Sequence, residues 1–247
     1  MTDLAFTPAP LKRRLLAEFT GTASLVTVVV GSGIAASMHS PNDVGLQLLE
    51  NSTATVLGLA VLILVFGPVS GAHFNPAVSA ADWLLGRRHG TGLTGVDVAA
   101  YTIAQIAGSV AGAMLANIMF ARELVQIATN HRTTNGHLVG EVVATAGLIA
   151  VIFALARTGR ATYSAAAVGA YIGAAYWFTS STSFANPAVT LGRMFSDTFA
   201  GIAPASTLGF IAAQVLGALI GLNLIAILYP HATTADNVVV PHTVTAD

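Results

Sequence analysis

Six apolar stretches, each around 20 residues long, run through the chain near 15–37, 52–69, 97–120, 138–156, 162–180 and 207–229. A helix rises ~1.5 Å per residue, so each run is long enough to cross a bilayer core of ~30 Å. The composition excludes the alternative of buried helices in a soluble protein. Hydrophobic residues make up 54%, charged residues 9%, and the mean hydropathy is +0.73. A soluble domain carries roughly 25% charged residues to cover its surface. The expected fold class is therefore an all-α membrane protein. Its spans are rich in Gly, Ala, Ser and Thr, which let helices pack closely in lipid. The net charge of −1 argues against nucleic acid as a partner, and the absence of cysteine excludes disulfides, thiol catalysis and Cys-ligated metal. The opening MTDLAFTPAPLKRR has no cleavable signal pattern, so the first apolar run is expected to remain as a span.

Two shorter amphipathic segments, 75–86 and 186–199, are too short to cross. Both begin with Asn-Pro-Ala-Val, at Asn75, Pro76 and Ala77 and again at Asn186, Pro187 and Ala188. The repetition extends further. AEFTGT with Glu18 in the first span is matched by GEVVATA with Glu141 in the fourth, and Gln105 in the third by Gln214 in the sixth. The order Glu, Asn-Pro-Ala, Gln thus occurs in each half. Three spans per half force the second half to be inverted, and inverted repeats place a functional site at the midplane where they meet. The reading is six transmembrane helices plus two half-membrane re-entrant helices, with repeats at about 11–120 and 137–230 inside a channel-like domain of 11–230. Tails of 1–10 and 231–247 flank it, the second polar and carrying no readable function.

Basic residues set the orientation. Lys12, Arg13, Arg14, Arg87, Arg88, Arg157 and Arg160 lie on the side that also carries both termini, which is seven of the ten Lys and Arg. Arg122 and Arg132 lie opposite, and Arg193 falls in the second short helix. Both termini are expected to be cytoplasmic.

Proline in the first helical turn gives up an N–H that would be unpaired anyway, and Asn is a favoured N-cap. Each tetrapeptide therefore starts a helix, one entering from each side, with their N-termini meeting near the bilayer centre. The preceding stretches GPVSGAHF and TSSTSFA are irregular, which is tolerated at that depth only where backbone is buried or lines a watery cavity. Each N-terminus carries roughly half a positive charge. A cation there is repelled as well as dehydrated, whereas a neutral hydroxylated solute accepts hydrogen bonds from the two Asn side chains and donates to loop carbonyls.

These residues together resemble the aquaporin superfamily, the major intrinsic proteins, over roughly 11–230, and SGAHFNPAV is close to that family's first signature. The resemblance implies passive permeation without a cofactor, a homotetramer with one pore per subunit, and a place in a bacterial inner membrane. Partners would be water, small neutral solutes and the bilayer. Water-selective members usually carry Arg directly after the second Asn-Pro-Ala, an aromatic residue in the second span and His in the fifth. Here Val189 follows the tetrapeptide. Counting back from each Asn-Pro-Ala gives Thr55, then Ala174 or Ala175, and Ser183 for the remaining position. A filter of Thr, Ala, Ser and Val is wide, non-aromatic and arginine-less. It suits glycerol, urea or undissociated metalloid acids, As(OH)₃ being close to a small polyol in shape. NPAVTLGR with Val in place of Arg resembles bacterial members associated with arsenic handling, which implies arsenite and methylated arsenicals as cargo.

The remaining polar residues carry weaker readings. Arg193, four residues after Val189, either replaces the missing filter arginine in part or forms an i,i+4 pair with Asp197. Glu18 and Glu141 are buried acids in spans, functional by default. The favoured reading is that each accepts backbone N–H groups of the loop before a half-helix, and the alternative is proton coupling in a carrier. His73 faces the vestibule as a loop-packing residue or a pH sensor, and His131 and His137 have no metal-ligand spacing. Gln105 and Gln214 bond across helices, and the Gly and Ala runs at 107–113 and 217–221 are contact surfaces. A water-selective channel with an atypical filter, a secondary carrier and a membrane enzyme built on Glu141 and His137 are the competing classes. The last lacks a nucleophile or a second carboxylate.

Overall fold

The computed structural model describes residues 9–87 and 90–230. The chain before residue 9, Arg88 and the predicted tail 231–247 lie outside the described residues. Among the described residues eight α-helices follow in order: α1 Leu11–His39, α2 Val44–Ser70, α3 Pro76–Gly86, α4 Gly95–Met119, α5 Asn135–Arg157, α6 Ser164–Phe178, α7 Pro187–Gly192 and α8 Pro204–Leu228. Five of these, α1, α2, α4, α5 and α8, are long and apolar enough to cross a membrane. The fifth predicted span, 162–180, is shorter than expected. Its α-helix α6 has 15 residues and is preceded by a 3-10 turn at Ala161–Tyr163.

Side-chain oxygens fix several helix starts. Asp43 accepts from the Leu46 N–H at 2.9 Å, and Thr94 and Asp97 cap α4 reciprocally. The largest interfaces join α1 to α4 and α5 to α8, the same pair in each repeat. Both depend on glycine. Gly108 and Gly112 of α4 lie against the carbonyls of Phe19 and Ala23, and Gly217 and Gly221 of α8 lie against those of Val142 and Ala146. A Cβ at any of the four would overlap the facing carbonyl oxygen. Backbones approach this closely in lipid because packing and interhelical hydrogen bonds, not water, drive association. Thr27 adds one such bond, its hydroxyl donating to Ala23 O at 2.8 Å and to Gly112 O at 3.1 Å. Gly112→Val is expected to cost about 1–3 kcal/mol by overpacking. Melting of the purified protein in detergent checks this, with Leu115→Val on the exposed side of the same helix as the neutral control.

The second half-helix departs from the predicted 186–199. α7 stops at Gly192, continues as a 3-10 turn Arg193–Phe195, and gives way to extended chain at Ser196. The reason lies in the linker between the repeats, which takes over the hydrogen bonds a longer helix would have used. Gln126 and Ala128 donate their N–H groups to Phe195 O and Met194 O at 3.3 and 2.9 Å. Ser196 donates to Asn117 Oδ1 at 2.7 Å.

Candidate functional site

The two half-helices meet tip to tip. Asn75 caps α3, its side-chain oxygen accepting from the Ala77 N–H at 2.9 Å. Asn186 caps α7 and accepts from Ala188 and Val189 at 3.0 and 3.2 Å. Pro76 and Pro187 occupy the first helical turn of each. The two amide nitrogens cross over: Asn75 Nδ2 donates to Ala185 O at 2.8 Å, and Asn186 Nδ2 donates to Phe74 O at 2.7 Å. Each half-helix is thus tied to the loop that leads into the other. An amide nitrogen carries two hydrogens, so one N–H of each Asn remains for a solute.

The loops that supply those carbonyls are strained in the same way. Ala72 and Phe74 in one, and Ser183 and Ala185 in the other, all have φ between 48° and 51°. A left-handed conformation at a non-glycine residue costs roughly 1–2 kcal/mol, so something must hold it. The two buried glutamates do. Glu18 accepts from His73 N at 3.0 Å, Phe74 N at 2.7 Å, Ser70 Oγ at 2.6 Å and Gln105 Nε2 at 2.8 Å. Glu141 accepts from Phe184 N and Ala185 N, both at 2.8 Å, and from Gln214 Nε2 at 2.6 Å. Gln105 and Gln214 also bond Ser79 and Thr190, which stand at matched positions of the half-helices. Neither glutamate lines the cavity described next.

A cavity of about 490 Å³ runs past both asparagines. Leu64, Pro68, Ala161 and Thr162 line one end, while Thr55, Tyr176, Val189 and Arg193 line the other. Between them the lining is mostly apolar, with residues such as Leu59, Val78, Leu148 and Ile172, and a strip of loop, residues 71–75, also borders the cavity. His73 lies on that strip with Nδ1 2.9 Å from Ser79 Oγ and its ring edge-on to Tyr101.

Of the four predicted filter positions, Thr55, Ser183 and Val189 line the cavity. Ala174 and Ala175 do not. Ala174 is exposed on the outer side of α6 and Ala175 is fully buried, whereas Tyr176 reaches the cavity. Tyr176 follows Val168 and Ile172 at one-turn spacing on the same helix face, so counting back through a loop of uncertain length missed the register. Its hydroxyl lies 3.3 Å from Thr55 Oγ1. The expectation of an end without an aromatic residue is corrected accordingly.

The predicted Arg193–Asp197 pair does not form. Asp197 instead accepts from the Thr129 N–H at 2.8 Å and its hydroxyl at 3.0 Å. The 3-10 turn swings Arg193 inward, where it is 2% exposed, its Nε donates to Ala200 O, and its guanidinium lies 3.4 Å from the Phe184 ring centroid. Arg132, predicted as an outer-loop charge, is buried against the same ring, at 5.2 Å, and donates to the Gly201, Ser181 and Phe199 carbonyls.

Membrane-spanning helices packed around two half-helices, with paired asparagines lining one shared cavity, are the architecture of a transmembrane channel of the aquaporin type. The chain belongs to the major intrinsic protein family, whose model matches residues 5–183. It is 49% identical over 214 residues to the aquaglyceroporin AqpS of Rhizobium meliloti (strain 1021), covering 87% of this chain and 89% of that one. It is 31% identical to a glycerol uptake facilitator protein of Pseudomonas aeruginosa, over 90% of each chain. Among solved structures it resembles the aquaglyceroporin from Plasmodium falciparum, with a TM-score of 0.64 at 20% identity, over 90% of this chain and 98% of that one. The chain is thus an aquaglyceroporin-like channel for small neutral solutes.

Proposed function

We propose that the channel passes glycerol-sized polyols, water and undissociated metalloid acids such as arsenite or methylated arsenicals, passively and in both directions. The observation that carries this reading is the cavity itself, whose lining combines many apolar side chains with the loop 71–75 and an unused amide N–H at each asparagine. A polyol presents carbon on one side and hydroxyls on the other, and both sides find partners. As(OH)₃ offers the same three hydroxyls. The relatives named as an aquaglyceroporin and a glycerol uptake facilitator support the polyol part. The protein is expected to act as a homotetramer, each subunit with its own pore, in a bacterial inner membrane with both termini cytoplasmic.

Glu18 and Glu141 are spent on backbone N–H groups and amides away from the cavity, which argues against their carrying protons for a coupled carrier. A second reading, a water-selective pore, is favoured by one observation: the bulky Tyr176 lines the cavity in contact with Thr55, their hydroxyls 3.3 Å apart. Stopped-flow light scattering on proteoliposomes decides between them. The polyol reading expects rapid swelling in glycerol and accumulation of arsenite, neither responding to a sodium or proton gradient. Fast shrinkage in sucrose without either uptake overturns it in favour of water selectivity.

A further inference from the structure

We infer that Arg193 is a specificity-determining residue of this pore, supplying from one turn past Val189 a fixed positive charge and a set of N–H donors at the Thr55–Tyr176 end. The inference rests on the channel reading above. Arg193 lines the cavity and is almost wholly buried, yet no carboxylate pairs with it among the described residues, where the one salt bridge is Arg14–Asp97. Only its Nε is used, on Ala200 O. The terminal nitrogens have no hydrogen-bond partner among the described residues. A buried, unpaired guanidinium is costly, and a protein that needed only the Nε bond could have used a neutral side chain. The charge is permanent, because guanidinium does not lose its proton in proteins.

The side chain is also held in place. Its face stacks on Phe184, and Phe184 packs edge-on against Phe210 at 5.1 Å while Arg132 covers it at 5.2 Å. Ala200 and Phe199, whose carbonyls hold Arg193 and Arg132, belong to one short stretch of the same loop. The planar fork is therefore fixed at the edge of the cavity that Arg193 lines, with the terminal N–H groups not used by any described residue. Thr55 donates its hydroxyl to Asn51 O at 2.9 Å and so offers only a lone pair, whereas the Tyr176 hydroxyl, 3.3 Å from Thr55 Oγ1, can exchange that long contact for a solute oxygen. A neutral polyol passing this end meets a cationic donor fork and two hydroxyls. A cation of the same size is repelled by the Arg193 charge, which its low-dielectric surroundings screen poorly.

The test compares glycerol with methylammonium, a small cation, in proteoliposomes holding wild-type protein, Arg193→Gln or Arg193→Lys, with melting in detergent to score folding. Gln keeps a donor for Ala200 O and loses the charge, whereas Lys keeps the charge and loses the fork. The wild type is expected to pass glycerol and exclude methylammonium. Arg193→Gln should admit methylammonium at least tenfold faster while still passing glycerol. Arg193→Lys should keep exclusion within about threefold of wild type and pass glycerol severalfold more slowly. Should the Gln protein not fold, the Lys protein decides: folded and leaky to methylammonium, it overturns the inference. So does a folded Gln protein that excludes methylammonium as well as wild type does. Wild-type vesicles impermeable to glycerol would instead defeat the channel reading, before any variant is compared.

Discussion

Glu18→Ala is expected to leave the chain unable to hold its first half-helix, and Glu141→Ala to do the same to the second. Removing the Glu18 carboxyl strips acceptors from two backbone N–H groups, a hydroxyl and an amide, all fully or nearly fully buried. A buried donor left without a partner costs about 1–3 kcal/mol. Two of the freed N–H groups belong to His73 and Phe74, and Phe74 has the strained positive φ that the carboxyl holds in place. The sum, several kcal/mol, is comparable with the total stability of many proteins. Neither alanine variant should yield folded protein with wild-type melting, and glycerol uptake should be lost with the fold. Glu141→Gln tests the same claim more gently. It keeps one acceptor but turns an NH₂ toward donors, so it should melt lower and transport less without any change in ion dependence. Under the carrier alternative Glu141→Gln folds normally and loses a gradient dependence that wild type possesses. Wild-type melting of Glu18→Ala would show that the loop geometry is held by something other than the carboxyl.

This pair of residues also marks how far the sequence could be read. Glu18, Gln105 and the first tetrapeptide, with their counterparts Glu141, Gln214 and the second, are polar residues in apolar surroundings. Such residues stand out, and their repeated order reveals the inverted halves. The glycines of α4 and α8 were legible for the same reason, as small residues in long spans. What stayed hidden was carried by backbone or by irregular chain. The carbonyls of Phe74 and Ala185, which tie the half-helices together, have no side-chain signature. α6 is apolar on every side, so no polar stripe marks its cavity face, and nothing in the sequence sets Tyr176 apart from Ala174 and Ala175. An ideal α-helix would bring Arg193 to Asp197. The linker around Gln126 and Ala128 ends that helix early and turns the arginine inward. Arg132 looked like a loop charge because a buried arginine satisfied by carbonyls is indistinguishable, in sequence, from a solvated one.

Val189→Arg is the substitution expected to change selectivity most. Val189 is 5% exposed, lines the cavity, and is followed one turn later by Arg193 on the same side. Its backbone N–H is already bonded to Asn186 Oδ1 at 3.2 Å, so the helix start does not depend on the side chain. An arginine there would extend into the neck beside Tyr176 and Thr55 and add a second cation next to the first. The bulk narrows the passage, and repulsion between the two guanidinium groups pushes one of them further across it. Glycerol and arsenite flux should fall at least tenfold, about 1.4 kcal/mol at the barrier. Water, small enough to pass a narrowed neck, should lose less than about threefold. Val189→Leu separates size from charge: it enlarges the side chain modestly and should slow glycerol only a few-fold. Unchanged solute uptake in a folded Val189→Arg protein would place the constriction elsewhere along the cavity, and the first place to look would be the opposite end, lined by Leu64, Pro68, Ala161 and Thr162.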